Sequence, residues 1–193
     1  MIETELKYQL TETQFQHLLH AFDLASQTPI TQINTYYDTL TQSLKELHAA
    51  LRLRRFNTYS EWTIKQKQDA YRSLELTQIC DAVVEASAQL TSNTITQPDL
   101  IQFLAEHHIK IEKLHIIAEF TTKRWLYQTE YGEYAFDMTL YGDQCDYEVE
   151  LETQDFSKAQ AEIQTLFAQH AIPLHPASKK IARVLQYFQS IND

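Results

Sequence analysis

The feature of this sequence that most constrains its fold is a two-residue alternation between charged and uncharged side chains. In the opening segment MIETELKYQL, the charged residues Glu3, Glu5 and Lys7 alternate with isoleucine, threonine, leucine and tyrosine. Successive side chains of a β-strand point to opposite faces of the sheet. The segment therefore predicts a strand with one largely apolar face and one face that carries an acid–acid–base row.

The alternation returns in further segments, and this repetition argues against an ordinary solvated sheet face. The charged positions of these segments are Arg52 and Arg54, Lys65 and Lys67, Glu75, Arg124, Asp137, and Glu148, Glu150 and Glu152. The pattern is looser around Arg124 and Asp137 than elsewhere. The charges are also sorted by sign, since acids follow acids and bases follow bases. Like charges two residues apart on one face repel each other, which is costly unless a ligand supplies the opposite charge.

The two kinds of charged row indicate two kinds of ligand. Rows of carboxylates suit a divalent cation, because the hard oxygen ligands of aspartate and glutamate are those that Mg²⁺ or Mn²⁺ prefers. Rows of arginine and lysine suit a polyanion, which they bind through forked contacts and point charges. If the sheet curls so that these faces converge, it forms a polar-lined barrel that binds a metal-complexed phosphate chain.

Composition narrows the class of ligand further. The chain has a formal net charge of −10, so it repels polyanions at long range, and this argues against nonspecific nucleic-acid binding. Its basic residues concentrate between Arg52 and Arg72, which favours a small anionic ligand held in a pocket. Its two glycines, Gly132 and Gly142, are too few for a Walker loop or a dinucleotide fingerprint. Side chains must therefore bind any phosphate.

The predicted elements indicate a single α+β domain over residues 1–193, dominated by antiparallel sheet. Helical periodicity is clear in TETQFQHLLHAF, PDLIQFLAEHHI, FSKAQAEIQTLFAQH and SKKIARVLQYFQSI. LTQSLKELHAA predicts a turn of helix and DAVVEASAQL a short helix at best. Both glycines lie between predicted strands, where hairpin turns favour a residue that tolerates a positive φ angle.

The sequence predicts a soluble, cytoplasmic protein without a membrane partner. No apolar run approaches the length of a membrane span, and the first residues carry no basic-then-apolar signal region. Cys80 and Cys145 show no metal or redox spacing, which fits a reducing compartment. The oligomeric state stays open, a homodimer included.

The charged segments, taken in order, resemble a known family. ETELK at residues 3–7 has the ExExK signature of the CYTH superfamily, the triphosphate tunnel metalloenzymes. The resemblance spans nearly the whole chain through YYDT, ALRLR, WTIKQK, SLEL, TTKR, FD, DYEVELE and SKKIAR. It implies an eight-stranded antiparallel β-barrel that forms a tunnel, with a polar charged lumen and helices packed outside. It also implies metal-dependent hydrolysis of a linear triphosphate.

The resemblance implies a role for each charged residue of these segments. The carboxylates of a Mg²⁺ or Mn²⁺ site are Glu3, Glu5, Glu148 and Glu150. The phosphate-binding bases are Lys7, Arg52, Arg54, Lys65, Lys67 and Arg124, with Lys180 and Arg183 near the tunnel mouth. The residues with catalytic roles are Lys7 and Lys180, together with Glu75 and Asp137 as acids that orient bases, metal or water. The motif SKK leaves Lys179 as an alternative to Lys180.

Some positions keep two interpretations. Glu152 is either a tunnel acid or a surface residue at the end of a strand. The segment from Tyr36 to Asp38 either borders the tunnel entrance or supplies core and turn residues. Arg55 and Arg72 are out of phase with the charged rows, so both are predicted to lie outside.

The substrate also stays open at this level. The short chain without an appended domain favours inorganic tripolyphosphate, while thiamine triphosphate hydrolysis and class IV-type adenylyl cyclisation share the same charged rows. A non-catalytic module that binds polyphosphate or a nucleotide needs the basic rows but not the metal-binding acids. Because the acidic rows are intact, the sequence favours an enzyme.

Overall fold

The structure is a computed structural model and describes residues 1–191 of the 193-residue chain. Within these residues it contains eight strands and five α-helices. The strands are β1 (Ile2–Leu10), β2 (Ile30–Asp38), β3 (Ala49–Arg55), β4 (Ser60–Lys67), β5 (Arg72–Cys80), β6 (His115–Gln128), β7 (Glu133–Tyr141) and β8 (Gln144–Glu152). The helices are α1 (Glu12–Ala21), α2 (Ser43–Glu46), α3 (Pro98–Glu106), α4 (Phe156–Gln169) and α5 (Lys180–Ser190).

The strands hydrogen-bond in the closed order β1-β5-β4-β3-β2-β6-β7-β8. This order confirms the predicted eight-stranded antiparallel barrel. Closure removes the unpaired strand edges that an open sheet presents to other chains. Among residues 1–191, every helix falls short of the length and hydropathy that a membrane crossing demands.

The chain forms two compact units. The first unit comprises Met1–Ile2, Gln32–Phe120 and the residues from Lys180 onward, and the second comprises Glu3–Thr31 and Thr121–Lys179. Each unit has its own hydrophobic core, built from the apolar faces of its strands and from its helices.

The core of the first unit lies between the apolar faces of β3 and β4 and helix α3. Leu51 of β3, Ile64 of β4 and Leu100 of α3 are fully buried in one cluster. Trp62 belongs to the same cluster, with its ring centroid 5.2 Å from that of Tyr37. The tryptophan is thus a packing residue, and the alternate positions of β3 and β4 are left to charged side chains.

The core of the second unit is formed by α1 and α4 against the apolar faces of β1, β7 and β8. Leu6 of β1, Phe136 of β7 and Val149 of β8 are buried with Phe15 of α1 and Phe167 of α4. The residues between them on each strand are the charged ones of the sequence pattern. Burial of the apolar face therefore fixes which way the charged rows point.

Helix α1 begins where the sequence predicts it. Thr11 is the N-cap residue, and its hydroxyl accepts a hydrogen bond from the backbone amide of Gln14. The Gln14 side chain accepts one in return from the backbone amide of Thr11, which completes a capping box. Thr11 therefore fixes the start of this helix.

The short helix predicted for DAVVEASAQL is wrong, because residues 81–90 contain no helix. The backbone of this segment bonds to neighbouring strands instead. The amide of Val84 donates to the Ser60 hydroxyl at 2.9 Å, and the carbonyl of Ser87 accepts from the Tyr37 hydroxyl at 3.2 Å. Leu90 at its end is buried in the core. These tertiary bonds compete with the backbone bonds of a short helix, whose first turn is costly to form.

The two glycines are required for different reasons. Gly142 lies in the β7–β8 turn with a φ angle of 56°, as predicted. The same expectation for Gly132 is wrong, since among residues 1–191 the positive-φ glycines include Gly142 but not Gly132. At Gly132 the requirement is space, because a Cβ atom there would lie 2.1 Å from the carbonyl oxygen of Glu152.

Candidate active site

In the second unit, strand register brings five charged residues of the sequence pattern together. Lys7 of β1 lies opposite Glu150 of β8. Asp137 of β7 lies opposite Glu148 of β8 on one side and opposite Arg124 of β6 on the other. Side chains directly opposite each other on antiparallel strands point to the same face and lie within contact distance. These residues, together with Glu5, are called the acidic cluster below.

Arg124 is the most tightly bound cation of the acidic cluster. Its Nε and Nη2 atoms donate to the two carboxylate oxygens of Asp137 at 2.7 and 2.5 Å, and Nη2 also donates to Glu150 at 2.7 Å. Burial by itself would lower the pKa of Arg124. Asp137, Glu150 and Glu148 outweigh that effect and raise it well above its ordinary value. The guanidinium therefore stays charged, and its fork is held in one orientation by a fully buried Asp137.

Lys7 is the second cation of the acidic cluster. Its Nζ atom lies 2.9 Å from Oε1 of Glu5 and 3.3 Å from Oε1 of Glu150. Arg124 and Lys7 thus bind the two different oxygens of Glu150. Glu152, at the end of β8, is exposed. Of its two interpretations, the exposure favours a surface residue.

Three carboxylates of the acidic cluster could hold a metal ion. Asp137, Glu148 and Glu150 each offer an oxygen, and these oxygens lie within 4.8 Å of one another. Asp137 and Glu148 are almost completely buried. The acidic cluster contains four carboxylates and two cations, which leaves a formal charge of −2. Its hard oxygen donors and its charge both fit a divalent cation such as Mg²⁺ or Mn²⁺.

The arrangement agrees only in part with the predicted set of metal ligands. Glu148 and Glu150 come together as predicted, and the third member of their group is Asp137, which the resemblance treats as an orienting acid. Glu3 and Glu5 are half-buried on β1 and do not belong to this group of three. The position of Asp137 opposite Glu148 depends on the β7–β8 register, and the sequence pattern does not specify that register.

The first unit contains a second charged group, built on β3, β4 and β5. Arg54 of β3 lies opposite Glu61 of β4, and Lys65 of β4 lies opposite Glu75 of β5. The Lys65 Nζ atom is 3.3 Å from the Glu75 carboxylate. With Arg52, this basic group contains three cations and two carboxylates, so its formal charge is +1. Its excess charge suits an anion.

Glu61 belongs to the basic group although it is not among the site residues predicted from the sequence. One oxygen, Oε1, lies 3.6 Å from Nη2 of Arg52 and 3.4 Å from Nη1 of Arg54. The signal was present, since Glu61 has the same strand parity as Lys65 and Lys67. The row from position 61 to position 67 therefore begins with an acid.

The two arginines of the basic group differ in how their Nε atoms are satisfied. Nε of Arg54 donates to the Asn34 side chain at 2.9 Å. Nε of Arg52 is buried and has no hydrogen-bond acceptor among residues 1–191. Burial alone would lower the pKa of Arg52, but Tyr36, Glu61 and Glu75 outweigh that effect and raise it. Arg52 is therefore a charged side chain with one buried donor left to satisfy.

The remaining sequence-predicted residues lie at element ends. Lys67 is exposed at the end of β4. Lys180 is the first residue of α5 and Arg183 follows one turn later, both half-buried. Lys179 is half-buried as well, so the choice between the two lysines stays open.

Two arginines predicted to lie outside have partners of their own. Arg72 is 60% exposed and pairs with Asp69 at 2.6 Å, which confirms its exterior position. Arg55 is out of phase with Arg52 and Arg54 and pairs with Glu85 and Glu119 at 3.0 and 2.7 Å. Neither arginine contributes to the basic group.

The fold and the site define this chain as a closed antiparallel β-barrel protein that carries groups of paired charges, and comparison with known proteins supplies the family. The CYTH domain family model matches residues 1–185, so this chain belongs to the CYTH family. It is 29% identical over 182 residues to "Putative triphosphatase YjbK" of Bacillus subtilis, covering 94% of this chain and 93% of the relative.

Solved structures show the same fold. A Bacillus halodurans protein described as "a putative adenylate cyclase" superposes with a TM-score of 0.80 at 24% identity, covering 94% of this chain and 96% of the other. The Hippeastrum protein HpAC1, described as a "putative adenylyl cyclase" with "a dominant" triphosphatase activity, has a TM-score of 0.71 at 19% identity. There the coverage is 96% of this chain and 95% of the other.

Proposed function

We propose that this CYTH-family chain is a metal-dependent triphosphatase whose substrate is inorganic tripolyphosphate. The observation that carries the proposal is the acidic cluster, in which four carboxylates face two cations and three of the carboxylates could hold one metal ion. Sites of this kind bind a phosphate chain together with its divalent cation. The basic group of the first unit, with its surplus of cations, supports the same class of substrate.

The names of similar proteins support hydrolysis over cyclisation. The Bacillus subtilis relative is named for triphosphatase activity, and the Hippeastrum protein is described by a dominant triphosphatase activity. The Bacillus halodurans protein is named for adenylate cyclase activity, so ATP belongs among the substrates to be tested.

The donor set favours Mg²⁺ or Mn²⁺ as the metal ion. Asp137, Glu148 and Glu150 would hold it, with Glu3 and Glu5 of β1 as the further ligands that the family resemblance implies. When bound, such an ion neutralises phosphate oxygens and makes coordinated water more acidic.

The cations of the chain bind and orient the phosphates. Arg124 and Lys7 donate hydrogen bonds to phosphate oxygens, and Asp137 keeps the Arg124 fork in place. We assign further phosphate contacts to the bases predicted from the sequence, which are Arg52, Arg54, Lys65, Lys67, Lys180 and Arg183. Glu75 orients Lys65 through their ion pair.

The reaction is an in-line displacement at a terminal phosphorus. A water oxygen attacks the phosphorus, a carboxylate of the acidic cluster accepts the proton of that water, and the bond to the bridging oxygen breaks. The products are phosphate and diphosphate, and the charge that develops on the leaving oxygen is stabilised by the bases. Positioning and electrostatic stabilisation supply most of the catalysis in reactions of this type.

The direct test is phosphate release from tripolyphosphate, thiamine triphosphate and ATP, each with Mg²⁺, Mn²⁺ or EDTA. We expect fast release from tripolyphosphate that EDTA abolishes. Release from thiamine triphosphate in preference would change the substrate, and formation of cyclic AMP from ATP would indicate a cyclase. Binding of all three without turnover would identify a non-catalytic module.

Glu150→Gln tests the role of the acidic cluster. The substitution removes the charge that both Lys7 and Arg124 contact while keeping the shape of the side chain. We expect turnover to fall by roughly 100-fold or more, as for loss of one stabilising group in a preorganised site, while tripolyphosphate still binds. Glu152→Gln is the matched control, since Glu152 is exposed on the same strand. Unchanged turnover in Glu150→Gln would disprove the metal-site assignment.

A further inference from the structure

The position of Glu61 suggests a function for an acid among phosphate-binding bases. Glu61 lies directly opposite Arg54 in the β3–β4 pair, and its side chain is only 17% exposed. A single oxygen of its carboxylate faces both Arg52 and Arg54. The two arginines are two residues apart on one strand face, so their guanidinium groups would repel each other without an anion between them.

The contacts that Glu61 makes are long for charged partners. They measure 3.6 Å to Arg52 and 3.4 Å to Arg54, whereas charge-assisted hydrogen bonds are typically about 2.7–2.9 Å. Arg124 in the second unit reaches its carboxylates at 2.5–2.7 Å. The Glu61 carboxylate therefore holds the two guanidinium groups mainly by charge.

One unsatisfied donor, on Arg52, indicates a phosphate ligand. Nε of Arg52 is buried and has no acceptor among the described residues, and a buried unsatisfied donor is unfavourable until a ligand satisfies it. Nε of Arg54 is already held by Asn34 at 2.9 Å, so this guanidinium has a fixed plane. Arg54 is thus anchored by Asn34, Arg52 has a buried donor without an acceptor, and Glu61 sets the separation of the two arginines.

We propose that Glu61 is a positioning residue for substrate binding, which acts by holding Arg52 and Arg54 at one spacing and by moderating their charge. The inference rests on the proposed function, because it takes the two arginines as phosphate-binding residues. Phosphate oxygens compete with Glu61 for the same N–H groups. The carboxylate therefore weakens ground-state binding of the substrate while it keeps the arginines in a productive orientation.

The test compares Glu61→Gln with the unchanged protein, in tripolyphosphate binding by calorimetry and in steady-state phosphate release, both with Mg²⁺. We expect the tripolyphosphate Kd to fall by roughly three- to tenfold, since one competing negative charge is removed. We also expect kcat to fall by about tenfold, since the arginines lose their shared anchor. A purely structural role would lower activity without tightening binding, so an unchanged or raised Kd would overturn the inference.

Two further variants separate charge from position. Glu61→Asp keeps the charge on a shorter side chain, so we expect a Kd near that of the unchanged protein and a lowered kcat. If Glu61→Gln fails to fold, Glu61→Asp decides by itself, and a normal kcat there would reject positioning. Glu119→Gln is the matched control because it removes a carboxylate from the Arg55 pair in the same unit. Its Kd and kcat should not change.

The two measurements distinguish failure of this inference from failure of the proposed function. If the unchanged protein binds tripolyphosphate without releasing phosphate, the triphosphatase proposal fails. The Kd values then still test whether Glu61 moderates anion binding. If Glu61→Gln does not tighten binding while the unchanged protein is an active triphosphatase, only the inference about Glu61 fails.

Discussion

Replacing Arg124 with methionine should destabilise the protein strongly in the absence of a divalent cation. Methionine keeps much of the side-chain volume but removes the charge that Asp137 and Glu150 contact at 2.5–2.7 Å. Asp137 is fully buried and Glu148 nearly so. Removal of one partner from a buried ion pair leaves an uncompensated charge in a poorly solvated place.

The size of the effect follows from the distances within the acidic cluster. Oxygens of Asp137, Glu148 and Glu150 lie within 4.8 Å of one another. At that separation and an effective dielectric constant of about 20, each pair of negative charges repels by on the order of 3 kcal/mol. We expect a loss of about 3–5 kcal/mol at pH 7, which is the range for a broken buried ion pair.

Urea unfolding followed by circular dichroism, in buffer with EDTA, measures the loss. For a chain of this length, 3–5 kcal/mol corresponds to a melting temperature lower by on the order of 10 °C. Arg72→Met is the control, since this arginine is 60% exposed and should change stability by less than about 1 kcal/mol. A loss below about 1 kcal/mol for Arg124→Met would refute the reasoning.

Two further predictions concern turns. The pKa of Asp69 is lowered to about 2. The cause is a set of hydrogen bonds that its carboxylate accepts from the backbone amides of Tyr71 and Arg72 and from the Arg72 guanidinium. A carboxyl group with a lowered pKa stabilises the fold at every pH above its pKa in the unfolded chain. Asp69→Asn should therefore unfold more easily than the unchanged protein at pH 7, and this difference in stability should vanish as the pH falls from about 4 to 2. A difference in stability that stays constant over that pH range would contradict the prediction. Gly132→Ala should lower the free energy of unfolding, measured in urea, by roughly 1–3 kcal/mol, because the new Cβ would lie 2.1 Å from the Glu152 carbonyl oxygen. Unchanged stability would refute that close approach.

Much of the fold follows from local patterns in the sequence. The two-residue alternation predicts that Arg52 and Arg54 lie on the strand face opposite to that of Leu51. The structure confirms this division between the core face and the charged face. The 3.6-residue periodicity of α1 is equally local, and the structure confirms this helix. DAVVEASAQL failed as a helix because its backbone bonds to Ser60 and Tyr37, which no local pattern reveals.

The contents of the charged groups were only partly predictable. The sequence shows every charged residue, and it also indicates Glu61, which lies four residues before Lys65 and therefore on the same strand face. The grouping of Asp137 with Glu148 and Glu150 was not visible, because it depends on which residues of β7 and β8 lie opposite each other. The unsatisfied Nε of Arg52 likewise follows from burial in the folded chain.

The sequence by itself determined which face of each strand is charged and which signs follow one another. The physical reason is that side-chain direction in a strand alternates with a period of two, which is a property of neighbouring residues. Only the tertiary structure decided which acid meets which base, as in the Arg124 fork on Asp137 or the oxygen of Glu61 shared between Arg52 and Arg54. Register and burial set these pairs, and both depend on segments far apart in the chain.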